Sequence, residues 1–340
     1  MKLSIEKNDY SMFVSAYQNL ENKKNIIYMY FTTKLLHYAL ESTQFVPDNV
    51  NLVVITGGLE QEEIDLIHRK MKIPTIHLSR RYNDGHIWEM LFNVNENNFG
   101  WMDVDCFVSS PDLFSDLVKI DEQTAINTVW ARKHDYYGID AYFANTYLQF
   151  INIKIAKNIM NKYPKLNLTP IYINETVVRW YEVPRFLDEE EKAFLIAAFP
   201  KCGKNQKGFD TTHYYQMLVM IEGFRINRVR ELDQLAKYFS EEALHLGGCN
   251  MIHTYQMDKS ARRIFYRFNM RYSYYLLIKY FHELPKCYAQ FKEEFDKTMA
   301  LNKLSTDLRD LVPKLLEYTQ RNGIYLSISM EENHEKGCIV

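Results

Sequence analysis

The chain has 340 residues, and Lys+Arg 41 against Asp+Glu 43 leaves it nearly neutral, which excludes a basic nucleic-acid-coating protein. Hydrophobic residues make up 47% and aromatic ones 14%, while Gly 12 and Pro 9 are few, which excludes a disordered, collagen-like or linker-rich chain. This length can bury a substantial core as one large domain with an appendage or as two small domains.

Met1 to Asp9 contains no long apolar stretch, so no signal peptide is expected. No apolar run approaches the ~18 residues of a transmembrane helix. Cys106, Cys202, Cys249, Cys287 and Cys338 are odd in number, widely spaced and without a C-x-x-C pair. That pattern disfavours a disulfide framework or a cysteine zinc site and predicts a cytoplasmic setting. Cys338 is third from the end, so the terminus does not fit prenylation, and Glu331 onward reads as a flexible polar tail.

In chain order, Ile26–Phe31 reads as a strand, Thr32-Thr33 as a turn, and Leu35 to Leu40 as a helix. Leu52–Ile55 is a second strand, broken by Thr56-Gly57-Gly58 before a helix over Glu60 to Met71. Pro74–Ser79 is a third strand and Gly85–Phe92 a helix. Continuous apolar strands separated by helices predict a parallel sheet covered on both faces, whose ligands sit beyond the carboxyl ends of the strands.

Phe99–Val108 reads as one strand, with Asp103 and Asp105 near its end. Residues two apart in an extended segment share a face, so both carboxylates can turn toward one cation. A hard divalent ion such as Mg2+ or Mn2+ takes carboxylate oxygens and usually shares its shell with substrate phosphates, so the expected ligand is a diphosphate. A bare D-x-D arises by chance in a chain of this size; its position, closing a run of alternating strands and helices, gives it weight.

The order from Ile26 to Val108 resembles the nucleotide-binding half of a GT-A fold glycosyltransferase, in which a metal-binding D-x-D ends a central strand. That resemblance implies an α/β fold with a Rossmann-like mixed central sheet flanked by helices. It also implies a nucleotide-sugar donor, with a UDP-sugar favoured, and a Mn2+ or Mg2+ ion held through Asp105 and Asp103. Asp103 would also contact ribose. Thr32 and Thr33 fall where such enzymes grip base and ribose, and Arg80, Arg81, Asn83 and Asp84 follow the third strand beside the same pocket. Two competing readings stand beside this one. A haloacid-dehalogenase-type phosphatase also carries an acid pair after a strand, but its D-x-D-x-[TV] pattern meets Phe107 here. A non-catalytic sugar-nucleotide binder would keep the fold without turnover.

In the second half, Thr124–Trp130 and Leu148–Ile153 read as strands, and Tyr142–Asn152 loosely resembles the GT-A stretch that contacts donor sugar and acceptor. Asp210 or Thr211 is expected to cap a helix over His213–Ile221. Asp210 is also the candidate general base for an inverting transfer, taking the proton of the attacking acceptor hydroxyl. His245, followed by Gly247 and Gly248, resembles the His-x-x-Gly element that completes the metal shell in metal-dependent GT-A enzymes. The fuller pattern has a Lys six positions on, where this chain has Met251. His253 has Lys259 at that offset but lacks the glycine, and is held in reserve.

Ser260–Phe281 is aromatic with basic charges, readable as a core helix with outward Arg and Lys stems or as an interfacial helix touching a membrane peripherally. Leu304–Tyr318 reads as another helix, Glu189–Glu191 as a solvated helix start, and Lys201–Lys207 as a loop over the site. The expected organisation is a catalytic domain over 1–255, with a nucleotide half over about 25–110 and an acceptor half over 111–255. A helical extension over 256–330 and a tail over 331–340 follow. The acceptor, whether saccharide, lipid-linked, peptide or small molecule, is not written in these residues, and no nucleic-acid partner is expected.

Overall fold

The apolar run after Asn25 forms β1 (Ile26–Thr32), and its alternation decides the layering. We analyse a computed structural model whose described residues are 5–108, 110–129, 131–133, 142–172, 185–200, 208–229, 243–245 and Tyr280. Tyr28 and Tyr30 pack into one hydrophobic cluster, while Ile27, Met29 and Phe31 pack into a second on the opposite side. A strand buried on both faces in this way belongs to the centre of a sheet covered by helices on each side.

Before it lies α1 (Lys7–Gln18), which the sequence reading did not anticipate. After it come α2 (Leu36–Ser42), β2 (Leu52–Gly57), α3 (Gln61–Lys70), β3 (Thr75–Leu78) and α4 (Asp84–Val94), all close to the expected bounds. The expected single strand over 99–108 is instead β4 (Phe99–Asp103) and β5 (Cys106–Val108), broken by a turn at Val104–Asp105. Asp suits turns and disfavours strands, so the two acids themselves interrupt the apolar run. Then follow α5 (Pro111–Leu117), β6 (Thr124–Thr128), β7 (Ala131–Lys133), β8 (Tyr142–Ala144), β9 (Leu148–Ile151) and α6 (Ile153–Lys162). The rest are β10 (Ile171–Tyr172), β11 (Arg185–Phe186), α7 (Glu189–Ala198), β12 (Gly208–Phe209), α8 (His213–Ile221), β13 (Arg225–Arg228) and β14 (Ala243–His245). Asn152 caps α6 by accepting from the Ile155 N–H, which is why the expected strand ends two residues early.

The main sheet has seven strands in the order β13-β6-β9-β4-β1-β2-β3. Every neighbouring pair is parallel except those made by β9, which runs against both β4 and β6. The sheet is therefore mixed and the architecture α/β, as expected. Side chains of α1, α4, α6 and α8 cover one face, and those of α2, α3 and α5 cover the other. Trp88 on α4 stacks on Trp101 of β4 with ring centroids 4.9 Å apart, which ties the first face to the central strand.

Glu189 and Glu190 form a solvated helix start as expected, whereas Glu191 is buried, because it turns back to make a capping box with Asp188. Within the aromatic stretch 260–281, Tyr280 is buried, and its hydroxyl hydrogen-bonds the Glu41 carboxylate and accepts from Gln44 Nε2 at 2.8 Å. At that residue the core-packing reading holds. Trp130, the 201–207 loop, His253, the 304–318 segment, the C-terminal extension as a unit and the tail lie outside the described residues. Among the described residues no helix is long and apolar enough to cross a membrane.

Candidate functional site

Strand order locates the crevice. The chain builds β1, β2 and β3 outward in one direction and then returns to place β4 on the other side of β1. In such sheets the gap between the two strands at the reversal is open at their carboxyl ends, and ligands enter there. The loops after β1, β2, β3 and β4 therefore share one edge, since Thr32 lies opposite Gly57, Gly57 opposite Leu78 and Tyr30 opposite Asp103.

The loop after β1 carries Thr32, which is buried, and Thr33, which is half-buried. Lys34 is left-handed at φ 71°, and its N–H donates to Glu63 Oε1 at 3.1 Å. The other oxygen of Glu63 accepts from the Glu60 N–H at 3.0 Å, so one buried carboxylate caps α3 and pins this loop.

At the end of β2, a Cβ on Gly57 would lie 2.6 Å from Tyr30 Oη and 2.8 Å from the Arg80 carbonyl oxygen. Only glycine lets the segment after β3 cross so closely. That segment is held from below by α1. Asp9, 1% exposed, accepts from the Ser79 N–H at 2.8 Å, from Ser79 Oγ at 2.9 Å and from Tyr82 Oη at 2.6 Å. Burial and the Asp9 contact push the Tyr82 phenol up to about 12, so it stays the donor. Tyr82 also meets Tyr30 Oη through both its N–H and its carbonyl at 2.9 Å. Arg80 is engaged in an exposed ion pair with Glu6. Asn83 caps α4 by accepting from the Gly85 N–H at 2.9 Å, which sets Asp84 at the first helical position.

At the end of β4, the Trp101 indole N–H donates to Asp103 Oδ1 at 2.6 Å and orients that carboxylate. Asp105 is 5% exposed, in the turn. The expected presentation of both acids along one strand is corrected: Asp103 ends β4 and the chain turns at Val104–Asp105, so strand periodicity does not set their relative direction. β14 pairs antiparallel with β5 and sets His245 opposite Cys106, next to Asp105. His245 thus lies in a strand whose backbone register runs beside the segment that follows Asp105.

Asp210 does not cap α8. Thr212 holds the cap position in a left-handed conformation, φ 65°, while Asp210 is exposed and accepts from the Thr211 N–H at 2.8 Å.

These residues meet electrostatically at Asp84. Its carboxyl is pushed up to about 7, first by surrounding protein, then by the charges of Asp103 and Asp210, with Asp105 adding to the rise and Arg81 opposing it. Asp84 is nonetheless exposed at the surface. Water reaching the carboxylate weakens the burial contribution, and the neighbouring carboxylates are the durable cause. Burial, Asp103 and Asp105 also push the Cys106 thiol well up, so it is neutral. Asp103, Asp105 and Asp210 thus all act electrostatically on Asp84, opposed by Arg81.

Stability should register this. A carboxylate that holds its proton more tightly when folded lowers stability as pH rises between its ordinary 3.8 and about 7. Asp84→Asn is expected to raise the Tm above wild type near pH ~8 and to leave it unchanged near pH ~4. Thermal unfolding at both values checks this, and an equal gain at both refutes the shift.

Among the described residues no three His, Cys, Asp or Glu side chains form a ready-made metal set. A diphosphate-bound cation needs only one or two protein carboxylates, and mutually repelling acids are the donor chemistry that a hard dication relieves. The residues fit such an ion. Sequence reasoning missed Asp9, Glu63, Trp101 and Tyr82, the groups that hold the site. Only Trp101 left a signal, by sharing a strand face with Asp103.

A family model described as the StrH glycosyltransferase N-terminal domain matches residues 4–156. The dTDP-dihydrostreptose–streptidine-6-phosphate dihydrostreptosyltransferase of Streptomyces griseus is 33% identical over 88 residues, which is 26% of this chain and 23% of that protein. The match thus spans about a quarter of that relative. The apo glycosyltransferase GlyE of Streptococcus pneumoniae TIGR4 is 14% identical over 52% of this chain and 49% of its own, with a TM-score of 0.28. The apo bifunctional WbbM protein gives 10% identity over 43% and 35%, with a TM-score of 0.31. The 4-diphosphocytidyl-2C-methyl-D-erythritol synthase of Anaerococcus prevotii DSM 20548 gives 12% identity over 52% and 98%, with a TM-score of 0.29.

Proposed function

We propose that this protein is a metal-dependent glycosyltransferase that moves a sugar from a nucleoside-diphosphate donor to an acceptor hydroxyl. The observation that carries the reading is the position of Asp103 and Asp105 at the carboxyl end of β4, beside the strand-order reversal, with Asp84 opening α4 after β3. The StrH-domain match over 4–156, which contains these three acids, supports it.

Asp105 and Asp103 would hold the cation, with His245 the nearest histidine by backbone pairing. Bound there, a divalent ion supplies positive charge to the leaving diphosphate. Thr32 and Thr33, at the β1 side of the crevice, receive the base and ribose. Arg81, the cation acting on Asp84, is placed to meet donor phosphate, whereas Arg80 is committed to Glu6. Asp210 takes the acceptor proton. Asp84, whose carboxyl the neighbouring acids hold above its ordinary proton affinity, is the second carboxylate able to do that work, and pH profiles of the two Asn variants separate them.

For the donor, the GT-A resemblance favours a UDP-sugar, while the Streptomyces griseus relative is named for a dTDP-sugar. Both are pyrimidine diphosphates. The test is thermal unfolding with UDP-, dTDP-, GDP- and CMP-sugars, each with and without Mn2+, together with donor hydrolysis in water. A metal-dependent Tm rise with one class, accompanied by hydrolysis, supports the transferase. A rise without hydrolysis leaves a sugar-nucleotide binder, and no rise in folded protein rejects the reading.

A further inference from the structure

Away from the carboxylate cluster, at the β3 edge of the sheet, two histidines face one another. His68, exposed in the last turn of α3, and His77, half-buried on β3, bring their Nε2 atoms to 3.4 Å. Their rings are nearly perpendicular, at 74°. A separation of 3.4 Å is long for a hydrogen bond, whose heavy atoms usually lie within about 3.2 Å. It fits the edge of a tetrahedron: two imidazole nitrogens each about 2.05 Å from one ion, at the tetrahedral angle, are about 3.35 Å apart.

The second observation is behind His77. Its Nδ1 lies 2.8 Å from Oγ1 of Thr56, a fully buried residue directly opposite on β2. When the Nδ1–H donates to that oxygen, the ring is fixed in the tautomer whose Nε2 lone pair points at His68. Histidines that bind metals are oriented in this way by a partner on the other nitrogen.

We propose that His68 and His77 form the protein half of a site for a borderline transition-metal dication, Zn2+, Ni2+ or Cu2+, completed by water. Paired imidazoles select these ions over Mg2+ and over the hard ion expected at the carboxylates, and Cu2+ should bind most tightly. Bound there, such an ion ties the end of α3 to the edge strand two residues before Ser79, where the loop carrying Arg81 begins. The proposal does not depend on the transferase reading.

The test is calorimetric titration of the full chain with Zn2+, repeated with Mg2+, and Cu2+ electron paramagnetic resonance to count coordinating nitrogens. Wild type should bind Zn2+ at a site that Mg2+ does not fill, and the Cu2+ spectrum should show two imidazole nitrogens. His68→Asn removes an exposed side chain and leaves the core intact. It should weaken Zn2+ binding roughly tenfold or more and drop one nitrogen from the spectrum. His77→Gln should do the same, and Asp105→Asn should leave the site unchanged. Zn2+ affinity unchanged in His68→Asn, or lost in Asp105→Asn, overturns the proposal.

Discussion

Asp105→Asn is expected to lower kcat/KM for sugar transfer by roughly 10²–10³-fold while leaving the protein folded. The size is that of removing one group that stabilises charge developing in a transition state. The variant is nearly isosteric at a buried turn position, and it removes one charge from a cluster of like charges. Its Tm should therefore equal or exceed that of wild type, which separates a lost functional contact from a lost fold. Because Asp105 adds to the rise at Asp84, the pH-linked fall in stability should also move to lower pH in the variant. Rate against Mn2+ concentration, with thermal unfolding on the same samples, decides the matter. Full activity with unchanged metal dependence would remove Asp105 from the metal site.

The parts of this molecule legible in its sequence are those that local pattern dictates. β1, β2, β3, α3 and α4 sit close to their expected bounds because unbroken apolar runs and helical spacing are set within a few residues. The acid pair was legible for the same reason. The direction of β9 was not, because a strand's orientation is fixed by its neighbours β4 and β6 and leaves no trace in Leu148–Ile151. The adjacency of His245 and Cys106 depends on pairing between segments far apart in the chain, and an inexact histidine motif was its sole sign. α1 shows the same limit. Phe13 and Tyr17, four residues apart, are its buried aromatic stripe, too sparse to announce a helix. Its importance lies in Asp9, whose partners begin at Ser79, and no spacing rule links an acid to a serine 70 residues away.

That contact yields the second large effect. Asp9→Ala should destabilise the protein by about 3 kcal/mol and lower the Tm by roughly 4 °C. Three donors converge on this carboxylate, the Ser79 N–H and Oγ and the Tyr82 hydroxyl. An Ala leaves them facing a void, and an unpaired buried donor costs about 1–3 kcal/mol. Asp9→Asn keeps the volume and one acceptor but turns an NH2 toward the remaining donors, so it should fall between wild type and Ala. The effect should reach the site, because Ser79–Tyr82 is the stem from which Arg81 and Asp84 project. Below its Tm, Asp9→Ala should raise the KM for the donor more than it lowers kcat, since the disturbed loop belongs to donor binding and the acid pair at the end of β4 is untouched. An Ala variant of wild-type stability would show that α1 merely covers the sheet. One destabilised as expected but with unchanged KM would show that the loop keeps its shape without the anchor. The two measurements thus separate holding the fold from shaping the crevice, and the hydrogen-bond geometry predicts that Asp9 does both.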